Sequence, residues 1–524
     1  MIYNSLLLNC IMLNLRIFYI LFFLISCSKK KLDFFEESTS HLRLESSFPF
    51  YHGVASGDPL HDGIILWTRV TPKFIDEEIF GEWYLSSDST FKSILKKGKF
   101  TTNLDKDFTV KIDVRGLEPG KNYYYYFSSL GKKSIVGKTK TTSLDSNELN
   151  FAIISCSDYQ RGYFNSYAAL ANENNLDAVI HLGDYIYEYK ARDYSNGIFN
   201  RLHIPDKELI SLADYRTRYS QYRLDPDLIK AHASHPFIVI WDDHETSNDT
   251  YMSGAQNHQV SSEGNFMDRK KSAMQAYYEW LPIRENIKPY RNFSYGNLVD
   301  LIILEERLEG RTKQANNLKD PSLYDSSRSM LGSIQLDWFL NKLKNSNAKW
   351  KVIGNQVIFS YLNYGREDFK INLDSWDGYP EEREMIASFI QNNDIKNVVI
   401  ATGDTHQSWA FEVHHLPFTN KKAYAFEFGT PSISAGNSDE RYFNAPIDQI
   451  IEHEKYITNS PMNPHLKYSN TRDHGYLILS FDNENVIAKW VYVNPLFNKS
   501  DSIKKIVKIK GIPENYTLHR LKSD

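Results

Sequence analysis

Between residues 48 and 144 the chain advances in short apolar stretches broken by turns. Gly63-Ile-Ile-Leu-Trp-Thr68, Gly81-Glu-Trp-Tyr-Leu85, Phe108-Thr-Val-Lys-Ile-Asp-Val114 and Asn122-Tyr-Tyr-Tyr-Tyr-Phe127 are each of strand length, and Gly116-Leu-Glu-Pro-Gly120 and Ser129-Leu-Gly-Lys132 read as turns. This predicts a small all-β, fibronectin-like antiparallel sandwich over 48–144. The run Tyr123 to Phe127 reads as a strand covered on both faces, because no basic stripe accompanies it.

After a polar boundary near Ser143-Leu-Asp-Ser-Asn-Glu148 the texture changes. Apolar runs at 151–155, 176–182, 236–241, 298–304, 350–354 and 397–402 are continuous enough to be strands buried on both faces, and helical periods fall at 164–173, 271–280, 334–345 and 381–393. Alternation of this kind predicts an α/β layered domain over 145–498. The stretch 499–524 is polar and reads as a surface tail.

The amino terminus is different again. Residues 17–26 form an apolar run of signal-peptide length behind Arg16, too short to make a comfortable permanent span. It ends Leu24-Ile-Ser-Cys27, which resembles a bacterial lipobox, so 1–27 reads as a signal with Cys27 as the lipidated residue and 28–47 as a tether. The expected location is the cell envelope, with the membrane as a partner through the anchor. The chain has three cysteines, and with Cys10 lost and Cys27 acylated, Cys156 is an unpaired thiol that no internal disulfide explains. Lysine plus arginine (61) nearly balance aspartate plus glutamate (65) over 524 residues, which gives no reason to expect nucleic-acid recognition.

Chemistry gathers where the buried strands end. Run 151–155 leads into Cys156-Ser-Asp158, 176–182 into Gly183-Asp-Tyr-Ile-Tyr187, 236–241 into Asp242-Asp-His-Glu245, 350–354 into Asn355-Gln356, and 397–402 into Gly403-Asp-Thr-His406. Ligands of α/β sheets bind beyond the carboxyl ends of the strands, so these groups should converge. Capping a strand has no use for cysteine, tyrosine, histidine and several carboxylates together, and a metal site does. Thiolate and phenolate suit ferric iron; carboxylate and amide oxygens suit calcium or magnesium. Asp184, with two oxygens, is the natural bridge. Asp243 is expected to ligate with Asp242, His244 and Glu245 in support, or His244 to act as a general acid. Arg161 and His474 are candidate substrate-binding residues at the rim. Asp374-Ser-Trp-Asp-Gly-Tyr379 suits a lid or a packed loop.

Cys156-Ser-Asp-Tyr159, His181-Leu-Gly-Asp-Tyr-Ile-Tyr-Glu-Tyr189, Trp241-Asp-Asp-His-Glu245, Asp374-Ser-Trp-Asp-Gly-Tyr379 and Gly403-Asp-Thr-His406 together resemble the PhoD-like family of alkaline phosphatases. Gly53-Val-Ala-Ser-Gly-Asp-Pro-Leu60 and Ile65-Leu-Trp-Thr-Arg69 resemble its leading domain, so the likeness covers about 48–495. The resemblance implies a metallophosphoesterase-like two-sheet sandwich covered by helices. It implies hydrolysis of small phosphate esters, as monoesterase or diesterase, with Fe3+ and Ca2+ or another divalent ion in calcium's place. By the same resemblance Cys156, Asp184, Tyr187 and His406 bind iron, and Asp184, Asp243, Asn355 and Asp404 serve calcium. The chain departs from the family at Leu304-Glu-Glu-Arg307, where relatives commonly read Leu-Asp-Thr-Arg. Arg307 is retained as a catalytic, phosphate-gripping candidate, while Glu305 and Glu306 could pair with it or crowd a phosphate. The family's frequent twin-arginine signal is replaced here by Arg16 alone. Attack by a metal-activated water is expected, since Ser155 and Ser157 have no base nearby in sequence. The rival readings are a phosphodiesterase or phospholipase D acting on phospholipid or teichoic-acid-like polymers, and a non-catalytic surface binding protein with structural metals.

Overall fold

The computed structural model describes residues 36–522 apart from 76–77, 195–199, 286, 368, 416–421 and 442–444, so the signal and Cys27 lie outside the described residues. The six apolar runs are strands, now Glu148–Ile154, Ala178–His181, Pro236–Val239, Val299–Ile303, Trp350–Asn355 and Val398–Thr402. The four helical periods are helices Asn165–Leu170, Phe266–Trp280, Ser333–Asn345 and Pro380–Asn392.

These strands belong to two sheets. The large sheet has ten strands, in the order Thr517–Arg520, Ile503–Ile512, Val486–Val493, Gly475–Asp482, Glu148–Ile154, Ala178–His181, Pro236–Val239, Val54–Gly57, Gly63–Arg69 and Thr109–Arg115. The second has seven, in the order Arg291–Tyr295, Val299–Ile303, Trp350–Asn355, Val398–Thr402, Ala425–Gly429, Ser408–Val413 and Leu466–Asn470. Alternation explains the continuous apolar runs. Leu301, Val352 and Val399 enter the main core shared with the large sheet, while Ile302, Ile353 and Ile400 enter a second core under helices Ser333–Asn345 and Pro380–Asn392.

Two expectations need refinement. The segment 48–144 packs two sheets about a core of its own residues, but one of those sheets is not separate. Val54–Gly57 pairs in parallel with Pro236–Val239, so three of its strands extend the large sheet. Its remaining strands, Ile94–Thr102, Ile79–Ser86, Asn122–Ser129, Lys132–Lys133 and Gly137–Lys140, form a separate small sheet whose inner face packs on that extension through Leu85, Phe100, Tyr125 and Phe127. The supposed tail is also structured: Ile503–Ile512 and Thr517–Arg520 finish the opposite edge of the large sheet. Period-2 patterning identifies a strand but carries no information about its partner.

Candidate metal centre

Parallel pairing aligns Glu148–Ile154, Ala178–His181 and Pro236–Val239, and separately Val299–Ile303, Trp350–Asn355 and Val398–Thr402, so that the carboxyl ends of each group lie together. Cys156, Asp184 and Asp243 leave the large sheet there, and Asp404 and His406 leave the second. Cys156, Asp184, Asp404 and His406 all adopt left-handed backbone, with φ between 55° and 64°. Non-glycine residues in that region cost energy, and four of them at one place mark a constellation imposed by its surroundings.

Buried hydrogen bonds hold the loops. The Glu245 carboxylate accepts from the backbone N–H groups of Asp184 (3.0 Å), Tyr185 (2.6 Å) and Asp242 (2.8 Å), which locks two ligand loops to one another. Backbone N–H groups of Ser434 and Ala435 donate to the Cys156 carbonyl at 3.2 and 3.1 Å. His406 Nδ1 donates to the Gly436 carbonyl at 2.9 Å, which leaves the lone pair on Nε2, 3.2 Å from Tyr187 Oη. Tyr187 Oη donates to Asp184 Oδ2 at 3.1 Å.

Among the described residues, donor atoms gather in four overlapping triads, each with its atoms within 4.8 Å of one another: Cys156, Asp184 and His406; Asp184, Asp243 and His244; Asp242, Asp243 and Asp404; and Asp243, Asp249 and Asp374. Asp184 links the first two and Asp243 the last three. The chemistry of this set fits metal ions. Burial, then Asp184, pushes the Cys156 thiol well up, and burial with Asp184 and Cys156 does the same to the Tyr187 phenol. Burial also raises the Asp184 carboxyl, against the pull of His244, with Asp243 and Asp242 adding to the rise. Asp242 Oδ2 and Asp243 Oδ1 are buried without a hydrogen-bond partner. Burial thus opposes the anionic forms of Cys156, Tyr187 and Asp184, which a bound cation would favour, whereas against burial Arg307 and His244 hold the Asp243 carboxyl below the usual carboxylate range.

Other expected residues bond chiefly to protein. Asn355 is buried at the end of Trp350–Asn355, where its amide donates to the Val357 carbonyl and its Oδ1 accepts from Trp376 Nε1 at 3.1 Å. Arg307 is wholly buried and grips protein, with Nε on Asp242, Nη1 2.6 Å from Asp374, and Nη2 3.8 and 3.6 Å from Asp243 and Asp404. It positions ligands and does not line the cleft. Arg161 and His474 both bind Glu440, at 3.1 and 3.2 Å, away from the cleft lining. Glu305 and Glu306 crowd nothing. Glu305 accepts from Trp241 Nε1 and the backbone of 307, 308 and 309, and Glu306 accepts from Trp376 Nε1 and the backbone of 356 and 357. Trp376 is fully buried, so the segment 374–379 is a fixed wall and not a lid.

Asp184, Asp243, His244, Asp404 and His406 open into a cleft of about 650 Å³, walled farther out by Tyr364, Phe369, Arg366 and His453. His244 Nδ1 donates to Glu188 Oε2 at 2.7 Å, and its ring stacks on Tyr187 with centroids 4.3 Å apart. Burial works against its charged form, but Asp243, Glu188 and Asp184 together raise its pKa well above the usual histidine range.

Residues 151–490 match the family model of PhoD-like phosphatase, and 37–143 match that of the PhoD-like phosphatase N-terminal domain. This chain belongs to the PhoD-like phosphatase family. It is 39% identical over 448 residues to alkaline phosphatase D of Bacillus subtilis (strain 168), across 81% of this chain and 74% of that relative. Its fold matches a solved structure of PhoD with a TM-score of 0.81 and 34% identity, covering 91% of this chain and 93% of that one. The PhoD-like fold thus carries the donor set assembled above.

Sequence reasoning missed Asp242, Asp249 and Asp374 as candidate ligands, and Tyr194, whose ring stacks on Tyr187 at 5.3 Å. Asp249 and Asp374 sit in turns away from any strand end, so the rule that finds strand-end donors passes over them.

Proposed function

We propose that this chain hydrolyses phosphate esters of small alcohols at the cleft above Asp184, with iron held by Cys156, Asp184, Tyr187 and His406 and calcium held by Asp184, Asp243 and Asp404. The observation that carries the reading is the chain of donor triads linked through Asp184 and Asp243 at the floor of an open cleft, in a PhoD-like phosphatase. Such ions supply a nucleophilic water at neutral pH and positive charge for the phosphoryl oxygens. Arg307 and Arg311 draw Asp242 and Asp374 into place by ion pairing, so the donor loops are ordered before substrate arrives. His244, paired with Glu188 at 2.7 Å and open to the cleft, gives its proton to the departing alcohol oxygen. The cleft's aromatic outer wall, Tyr364 and Phe369, leaves room for the alcohol beside the phosphate and so admits diesters as well as monoesters. The apolar run before Cys27 supports export and anchoring at the cell envelope.

Purified chain should turn over p-nitrophenyl phosphate with calcium present and lose most activity in chelator. Asp184→Asn should reduce kcat by about 100-fold or more, because it weakens both ions at once. Cys156→Ser and Tyr187→Phe should each lower the iron content. Stoichiometric iron in both would refute the ligand set, and a metal-loaded protein inert toward monoester and bis ester would refute the hydrolase.

A further inference from the structure

The small sheet presents an outer face with a charge opposite to that of the molecule. Segments 79–102 and 121–140, which build it, hold nine lysines, two acidic residues and no arginine, in a chain of net charge -4. Register decides which of these share a face. Tyr84 lies opposite Lys97 on one side and Tyr126 on the other, Glu82 opposite Lys99, Ser128 opposite Lys133 and Tyr124 opposite Lys138. Because Leu85, Phe100, Tyr125 and Phe127 point into the core, this alternate row points away from it. The four-tyrosine run is therefore covered on one face only, and neighbouring strands supply the basic stripe that its own sequence lacks.

Apolar side chains surround the lysines. Phe80 is 64% exposed, Leu95 49% and Ile135 48%, with Ile94 and Val136 beside them. We infer that this face docks on an anionic lipid surface. Lysines on long apolar stems carry charge to headgroup level while aliphatic and phenyl groups at the margin enter the interface. A protein hot spot is enriched in arginine and depleted of lysine, whereas this face carries lysines and no arginine, and its tyrosines Tyr84 and Tyr126 are stacked on one another. A nucleic acid would call for open aromatic faces, whereas Tyr84 and Tyr126 stack on one another at 4.8 Å and Lys133 covers Tyr126 at 4.7 Å. Lys140 is excluded from the docking charge because it pairs with Asp177 at 2.6 Å. The inference stands independently of the hydrolytic reading.

The test uses the full chain and sedimentation with vesicles of phosphatidylcholine, with or without phosphatidylglycerol. The N-terminal apolar run contributes alike to both, and a chain carrying Lys29→Gln, Lys30→Gln and Lys31→Gln serves as the background throughout, so the ratio reports the sheet. The anionic vesicles should be preferred at least tenfold, at about fivefold per engaged lysine, and the preference should fade in high salt. Lys97→Glu with Lys99→Glu and Lys133→Glu should abolish it. Phe80→Ser with Leu95→Ser should weaken anionic-vesicle binding about tenfold while p-nitrophenyl phosphate turnover is unchanged. Equal binding to both vesicle types, or a preference that survives the charge reversals, would overturn the inference. So would binding to soluble polyphosphate that matches vesicle binding and ignores the apolar pair, since that would assign the face to a free polyanion.

Discussion

Gly183 shows how closely single residues are constrained around the donors. Its φ is 106°, and an added Cβ would fall inside the contact shell of the Asp242 backbone nitrogen. Gly183→Ala should therefore push apart the Asp184 and Asp242 loops that Glu245 ties together. Expected outcomes are a loss of more than about 2 kcal/mol in chemical denaturation and of bound metal in the same preparation. An alanine variant with wild-type metal content would show that the loops have slack. The candidate donors Cys156, Asp184, Tyr187, Asp243, Asp404 and His406 are legible in the sequence because each lies just beyond an apolar run. Asn355 follows one too, yet its amide turns to Val357 and Trp376. Strand-end position narrows where a residue lies, and local packing decides where its side chain points.

Among the elements, the helix that periodicity overlooks for a physical reason is one with a polar buried face. Helix Leu212–Arg223 buries Tyr215, Arg218, Tyr219, Tyr222 and Arg223, whose polar groups mask any apolar stripe. Its neighbour Pro226–Ser234 is better marked, by Asp225 capping the N–H groups of Asp227 and Leu228 and by proline in the first turn. That helix ends at His235, whose Nε2 donates to the Leu170 carbonyl at 3.2 Å and whose pKa burial lowers to about 4. With the folded value below the unfolded one, His235 stays neutral in the native state while the unfolded chain takes up a proton. Its contribution is present above about pH 6.5 and lost as pH falls from there toward 4. His235→Gln should flatten the fall of stability over that window by about 1.4 kcal/mol per pH unit. An unchanged slope between pH 6.5 and 4 would show that the imidazole is protonated in the folded protein.

For the whole molecule, the decisive fact is that both ends of the chain complete one sheet. Removing the segment before residue 145 would strip Val54–Gly57 from Pro236–Val239 and bare a parallel edge beside the metal centre. Removing the segment after 498 would bare Val486–Val493, whose antiparallel partner is Ile503–Ile512, at the opposite end of the sheet. Buried residues at these borders, such as Ile64, Leu66 and Val507, contribute about 1.5–3 kcal/mol each when fully buried. A chain cut to 145–498 should consequently fail to fold cooperatively, and limited proteolysis of the intact protein should not release it as a stable fragment. A soluble 145–498 fragment with a sharp thermal transition would restore the two-domain reading.

Local pattern was enough to find the six central strands, the residues that end them and the chemistry those residues can perform, because burial on both faces and donor type are written along the chain, but it passed over the edge strands such as Ser408–Val413 and Ile503–Ile512. Tertiary structure decided the rest: that the leading strands and the supposed tail belong to one sheet, that Arg307 holds aspartates instead of facing the cleft, that Arg161 and His474 share Glu440, and that lysines from separate strands meet on one face. Strand pairing, ion-pair choice and face composition depend on contacts between residues far apart in the chain, which a one-dimensional period does not record.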